Sequence, residues 1–216
     1  MALEITNCKY DDLTEKDWLE LLHVTKEAFK EHKDKGLNMY PCRVNLEQLK
    51  EFLSDCHFFV VRNENQVVAF RGAKLLKEGD SLFMAGQLVA VSLACRGMGV
   101  GKMLFRAFED YATEAGCAFL QTDTSCEAKS SQAYHHSCGF EDWCYASWQG
   151  TNYYTIIMRK LLPPGRKYSP WVRYSSLIKS YVYCHLRYDK NGKERPGFRI
   201  VKFPYKCMKK VFKLFS

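Results

Sequence analysis

A mixed α/β fold, with a mostly antiparallel sheet flanked by helices, is what the order of patterns along this sequence predicts. Three observations carry that expectation. Two segments of helical apolar periodicity open the chain, strand-like runs follow from His57, and a glycine-rich turn then leads straight into an apolar helix. With 47% hydrophobic residues among 216, the chain has material for one sizeable core.

Leu3-Glu4-Ile5 reads as a short strand. The first helix follows Thr14, with Asp17 completing a capping box, and places Trp18, Leu21, Leu22, Thr25 and Phe29 on one side. A second follows Asn45, with Gln48 in the equivalent place, and carries Leu46, Leu49 and Phe52. Runs at 58–61, 67–70 and 82–91, separated by Asn63-Glu64-Asn65 and Glu78-Gly79-Asp80, predict an antiparallel meander. A helix from Gly99 to Ala115 stops at Gly116, Ala118 to Thr122 is the next strand, and a short helix spans Ser130 to Ser137. Late strands at 140–148 and 152–161 complete the order before Pro163-Pro164-Gly165 ends it. The chain therefore divides into a domain at 1–162 and an extension at 163–216.

Charge divides at the same place. The part ending at Leu162 has 18 basic and 22 acidic residues, whereas the part from Pro163 has 14 basic and 2 acidic, within a total of +8. No basic run followed by an apolar core opens the chain, and no apolar stretch reaches the ~18 residues of a membrane span. A cytoplasmic protein without a transmembrane segment is the expectation. The ten cysteines are scattered with no CxxC pair, and the histidines form no HxxxH, so reduced thiols and no metal site are expected.

The strand Val89-Ala90-Val91 is followed by Cys95-Arg96-Gly97-Met98-Gly99-Val100-Gly101-Lys102 and then by the helix beginning Met103-Leu104-Phe105. Glycines allow close approach and unusual dihedrals, and the unpaired amides at a helix start favour a pyrophosphate. Neither the P-loop spacing nor the GxGxxG of dinucleotide folds is present. Arg96, Gly99 and Gly101 form RxxGxG, which resembles the coenzyme A signature of the GNAT acetyltransferases. The preceding Val89-Ala90-Val91 and the later element from Ala133 to Gly139-Phe140 extend the resemblance, which covers about residues 3 to 161.

That resemblance implies a GNAT-like sheet and an enzyme that uses acetyl-coenzyme A as co-substrate. It places the pyrophosphate on the amides of Met98 to Lys102, pairs main chain near Val89 and Val91 with the pantetheine arm, and gives Arg96 and Gly97 to the same loop. Arg96 either supports the loop or meets a phosphate. Many relatives carry a Glu or His on the strand before this turn as base, but here it reads Phe83-Met84-Ala85-Gly86-Gln87-Leu88. Gln87 is then a candidate to orient a water, and Asp123, at the end of the strand beyond the helix, is the preferred base; a solvated or capping Asp is the alternative.

Relatives place a Tyr acid at the position occupied here by His135. The acid role is assigned to His135, with the neighbouring Tyr134 as alternative. The stretch Asp123 to Glu141 is similar to aminoglycoside 6′-N-acetyltransferases, although Ala85, Gln87, Ala128 and Lys129 depart from that subgroup.

The extension mixes charge with rings, among them Tyr168, Trp171, Tyr174, Tyr181, Phe198, Phe203 and Phe215. A helix at Pro170 to Leu186, a turn at Asp189 to Gly192, a strand at Phe198 to Phe203 and a basic helix from Tyr205 are expected. Three roles stay open for 166–216: a lid or homodimer element, contact with nucleic acid, and attachment to an anionic membrane surface. The expected function is transfer of acetyl to a primary amine of a small molecule. The alternatives are a protein or RNA-associated acceptor, or a weakly catalytic coenzyme A-binding regulatory module.

Overall fold

Capping boxes set both early helices. The computed structural model describes residues 3–163 and 169–196. Helix α1 (Glu15–Asp34) starts where the Asp17 amide donates to Thr14 Oγ1 at 3.2 Å and the Thr14 amide donates to Asp17 Oδ2 at 2.9 Å. A short helix α2 (Tyr40–Arg43), which periodicity did not predict, precedes α3 (Leu46–Phe52), boxed by Asn45 and Gln48. The buried face of α1 comprises Trp18, Leu21, Val24 and Thr25, while Leu22 and Phe29 of the expected face are half-buried.

Among the described residues, seven strands form one sheet in the order β1-β2-β3-β4-β5-β7-β6. Strands β1 (Leu3–Lys9), β2 (His57–Asn63), β3 (Gln66–Glu78) and β4 (Ser81–Val91) form the antiparallel meander. Helix α4 (Val100–Glu114) crosses to β5 (Phe119–Ser125), α5 (Lys129–Ser137) follows, and β6 (Glu141–Ala146) and β7 (Thr155–Leu161) close the sheet as a hairpin. The sheet buries both faces. Phe58, Val60, Phe70, Leu88 and Ala90 pack with α1 and α3, whereas Phe59, Ala69, Met84 and Leu120 pack with Leu104 and Phe108 of α4.

Two irregularities matter for the site. The parallel pairing of β4 with β5 lasts only from Phe83↔Phe119 to Ala85↔Gln121, so beyond Ala85 the strands fork. On its other edge, β4 pairs Gly86 with Ala73 and Leu88 with Gly72, which leaves Gln87 as a bulge. A bulge reverses side-chain parity. Met84 faces α4 before it, and Val89 and Val91 face that side after it.

Helix α6 (Pro170–Arg187) lies along β6 and covers the sheet's edge. The Tyr145 amide donates to Ser180 Oγ at 2.9 Å, and Cys184 Sγ donates to the Tyr145 carbonyl at 3.2 Å. After it, the turn at Asp189 to Gly192 packs on the 147–154 loop, with Ser147 Oγ donating to the Asp189 carbonyl and Tyr154 Oη to the Tyr188 carbonyl. The strand expected at Phe198 to Phe203 and the helix from Tyr205 lie outside the described residues. No helix among the described residues is long and apolar enough to cross a membrane. The nine cysteines described are free thiols.

Candidate active site

A groove of about 560 Å³ runs beside the first turn of α4. Gly97 and Gly99 stand at φ of +77° and +80°, a left-handed conformation that side chains disfavour, and a Cβ at either would meet nothing within 4 Å. The turn therefore leaves open space above it. Val100, Gly101 and Lys102 begin the helix, so their amides have no intrahelical acceptor and point into that space with the positive end of the helix dipole. Val89 and Val91 line the groove, and past Ala85 the β5-facing edge of β4 has no strand partner among the described residues. A pyrophosphate carried on an extended, amide-bearing arm fits these features, the arm adding to the free strand edge.

Of the residues expected to hold the cofactor, Val89, Val91, Arg96, Gly97, Gly99, Val100, Gly101 and Lys102 line this groove. The side chain of Met98 points to solvent, 51% exposed. Arg96 ties the loop to α1: Nη2 donates to the Ala28 carbonyl at 3.0 Å, and Nη1 lies 3.8 Å from Glu31. Of its two expected roles, the structure thus engages it in loop support.

A second cavity, of about 360 Å³, passes through the fork. It shares Phe29 and Val89 with the groove, so the two spaces adjoin along β4. On β5 side chains alternate: Leu120 packs with the α4 core and Thr124 Oγ1 donates to Ser131 Oγ of α5 at 3.0 Å. Asp123 therefore faces the opposite side of the sheet. There Met39, Tyr40 and Tyr153 wall the cavity, with Trp148 and Gln149 at its rim.

Asp123 is exposed to the cavity from β5, and the protein massed around that cavity, by displacing bulk water, pushes its carboxyl up to about 6. Burial also pushes the Tyr153 phenol up to about 12, with the Asp123 charge adding to the shift. Gln87 lines the same cavity from its bulge.

Tyr134 and His135 are adjacent in sequence but have different surroundings. Tyr134 lines the cofactor groove, and its hydroxyl donates to the Gly101 carbonyl at 2.8 Å. The ring fits because residue 101 is glycine, where a Cβ would stand 3.1 Å from Tyr134 Cε2. His135 is 2% exposed, sits edge-on to Phe140 with its ring centroid 5.6 Å away, and has no hydrogen-bond partner at Nδ1. Burial, reinforced by the nearby Arg71 charge, pulls its imidazole down to about 3. At neutral pH it is uncharged.

Sequence reasoning missed the cavity residues Arg71 and Tyr153. For Arg71 a signal was available, since it stands among Ala69, Phe70, Gly72 and Ala73 on a strand otherwise given to the core. Among the described residues no group of three or more His, Cys, Asp or Glu side chains is placed to hold a metal ion.

Comparison with known proteins agrees with this architecture. A family profile described as "Acetyltransferase (GNAT) family" matches residues 16–140. The aminoglycoside N(6′)-acetyltransferase type 1 of Stenotrophomonas maltophilia is 30% identical over 105 residues, 45% of this chain and 69% of that protein. In fold, the chain is similar to the ribosomal-protein-S18-alanine N-acetyltransferase of Escherichia coli, with a TM-score of 0.56 at 16% identity over 77% of this chain and 98% of that one. It is also similar to the PaiA N-acetyltransferase of Thermoplasma acidophilum, solved with coenzyme A, with a TM-score of 0.56 at 15% identity over 75% and 100% of the two chains. The glycine turn, the forked sheet and a family match over more than half the chain lead to one conclusion: the protein belongs to the GNAT family and is an acetyl-coenzyme A-dependent N-acetyltransferase.

Proposed function

We propose that the protein transfers acetyl to a primary amine of a small molecule, with Asp123 as base and Tyr134 as acid. One observation carries this reading. The fork separates a carboxylate open to the cavity on one face of the sheet from a phenol lining the groove beside α4 on the other.

Acetyl-coenzyme A supplies the activated thioester. Asp123 takes a proton from the acceptor's ammonium group and leaves a neutral amine, whose lone pair forms the new C–N bond. Main-chain amides that β4 turns toward the gap offset negative charge developing on the carbonyl oxygen. As the C–S bond breaks, Tyr134 Oη gives its proton to the sulfur; the nitrogen, cationic after the attack, loses its extra proton to solvent, and solvent reprotonates Tyr134 and takes the proton held by Asp123. A water oriented by Gln87 is the alternative route for the amine proton.

Tyr134 replaces His135 as the assigned acid because a neutral imidazole with a pKa of about 3 holds no proton at Nδ1 and Nε2 together at pH 7. His135 instead packs the deep wall against Phe140. The cavity volume lies in the range of roughly 300–1,000 Å³ typical of small-molecule sites. Its aromatic walls, together with a relative named for an aminoglycoside acceptor, favour a small molecule over a protein chain. For the extension beyond Leu162 we assign support of the cavity rim, through the contacts of Tyr188, Asp189 and Gly192 with the 147–154 loop.

The test is thiol release from acetyl-coenzyme A over a panel of small primary amines, with the N-acetyl product identified by mass. Turnover of small amines in preference to peptide amino termini supports the reading. Turnover confined to peptides contradicts it.

A further inference from the structure

Among the described residues, Arg71 is the largest side chain buried almost completely, at 1% exposure. Its guanidinium carbon lies 4.5 Å from the centroid of the Phe108 ring, and Nη2 is 3.5 Å from Tyr134 Oη. Nε and Nη1 have no hydrogen-bond partner. Arg62, Arg159 and Arg173, all less buried, each pair with a carboxylate, from Asp17, Glu78 and Glu141. Arg71 has none among the described residues. A buried, unpaired guanidinium is costly, and folding alone supplies no reason to keep one.

Its position supplies a reason. Gly86 is the first residue of β4 past the pairing with β5, and a Cβ there would stand 3.3 Å from Arg71 Nη1 and 3.8 Å from Thr122 Oγ1. The guanidinium thus occupies the apex of the fork, on the α4 side with Tyr134 and away from Asp123, and it lines the reaction cavity.

We propose that Arg71 is the positioning residue for the leaving-group proton: its charge sets the acidity of Tyr134 and offsets the negative charge left on the phenol oxygen once the proton has passed to sulfur. The inference rests on the assignment of Tyr134 as acid. Other charged or titratable groups facing Tyr134 or sharing its groove are His135 on its own helix and Cys138 at that helix's C-cap, Lys102 on α4, Cys95 and Arg96 in the turn before α4, and Glu31 and His32 on α1. Burial raises the phenol, Cys138 adds to that, and Arg71 is the group that lowers it.

The experiment compares Arg71→Met, Arg71→Lys, Tyr134→Phe and the Arg71→Met/Tyr134→Phe double variant, reading kcat, its pH dependence, KM for acetyl-coenzyme A and Tm. Arg71→Met is expected to lower kcat by about 10²-fold, a loss in the range of general-acid catalysis, with KM changed less than about threefold. Because the acid works only while protonated, the alkaline fall in kcat moves to higher pH when the cation is removed. The double variant is expected to be no slower than Tyr134→Phe alone, and Arg71→Lys to recover part of the rate. The Tm of Arg71→Met does not fall, since an apolar chain replaces an unpaired buried charge. Losses that multiply in the double variant, or an alkaline limb that stays in place, overturn the inference while leaving Tyr134 as acid. Full activity of Tyr134→Phe overturns the acid assignment itself. If Arg71→Met does not fold, Arg71→Lys against Arg71→Gln gives the same comparison, and an equal alkaline limb in those two contradicts the proposal.

Discussion

The groove proposed for the cofactor and the cavity proposed for the acceptor adjoin at Phe29 and Val89, yet they are built from different materials. The anion- and arm-binding features of the groove are main chain, with amides at one helix start, glycines at positive φ and a strand edge unpaired among the described residues, contributed by residues 86–102, while side chains of α1 and α5 wall it. The cavity is built from side chains brought together from 39–43, Arg71, Gly86 to Val89, Thr122 to Ser125 and 148–153, with its rim loop resting on residues 188–192. A site made of main chain depends on a short contiguous motif, whereas a site made of side chains depends on the whole fold. The groove should therefore break by a local change, and the cavity by changes far from it in sequence.

The largest effect is expected at Gly99. Acetyl-coenzyme A should raise the Tm of the parent, as a ligand of the folded state must, and Gly99→Glu should abolish the rise by placing a carboxylate among the anion-binding amides. The substitution enters open space but requires a side chain at φ +80°, a strain of roughly 1–2 kcal/mol, so the variant should fold with a lowered Tm. A thermal-shift titration reads both effects.

A smaller and more selective effect is expected at Gly192, which tests the cavity's dependence on the distant extension. A Cβ there would stand 2.4 Å from the Trp148 carbonyl carbon and oxygen and 2.5 Å from the Gln149 nitrogen, main-chain atoms that yield only if the rim moves. Gly192→Ala should raise KM for the amine by about tenfold, the cost of displaced positioning contacts, while leaving coenzyme A binding unchanged. Steady-state kinetics with each substrate varied in turn separates the two.

The smallest change in rate is expected at His135. Phe can take its place beside Phe140, and kcat of His135→Phe should stay within about threefold of the parent. Stability supplies the second readout. The folded pKa of His135 is depressed, so its contribution is present above the unfolded value of about 6.5 and is lost as pH falls toward 3. Between those values the Tm of the Phe variant should depend less steeply on pH than that of the parent.

The same contrast explains what could be read from the sequence. Element order, both capping boxes and the coenzyme A turn were legible because each is set by neighbours within a few residues. The Gln87 bulge was not legible, since it is defined by β3 pairing across a register shift, and without it the parity of Val89 and Val91 could not be assigned. The place of Asp123 at a strand end was legible, but the cavity it lines depends on Tyr40 and Tyr153 arriving from elsewhere. The different surroundings of Tyr134 and His135 depend on which face of α5 meets α4, where the Tyr134 ring packs on Gly101. Arg71 looked like an interrupted core strand because its partners, Phe108, Gly86 and Tyr134, lie on three other elements.

The pH dependence of kcat in the parent and in Asp123→Asn, with a small amine that is turned over, tests the central claim most directly. A base with a pKa of about 6 must be ionised to work, so the parent should lose rate as pH falls below that value. Asp123→Asn should lower the plateau by about 10²-fold and remove that acid limb. A variant that keeps both the limb and the plateau would show that another group takes the amine proton, and would contradict the assignment of base and acid to opposite faces of the fork.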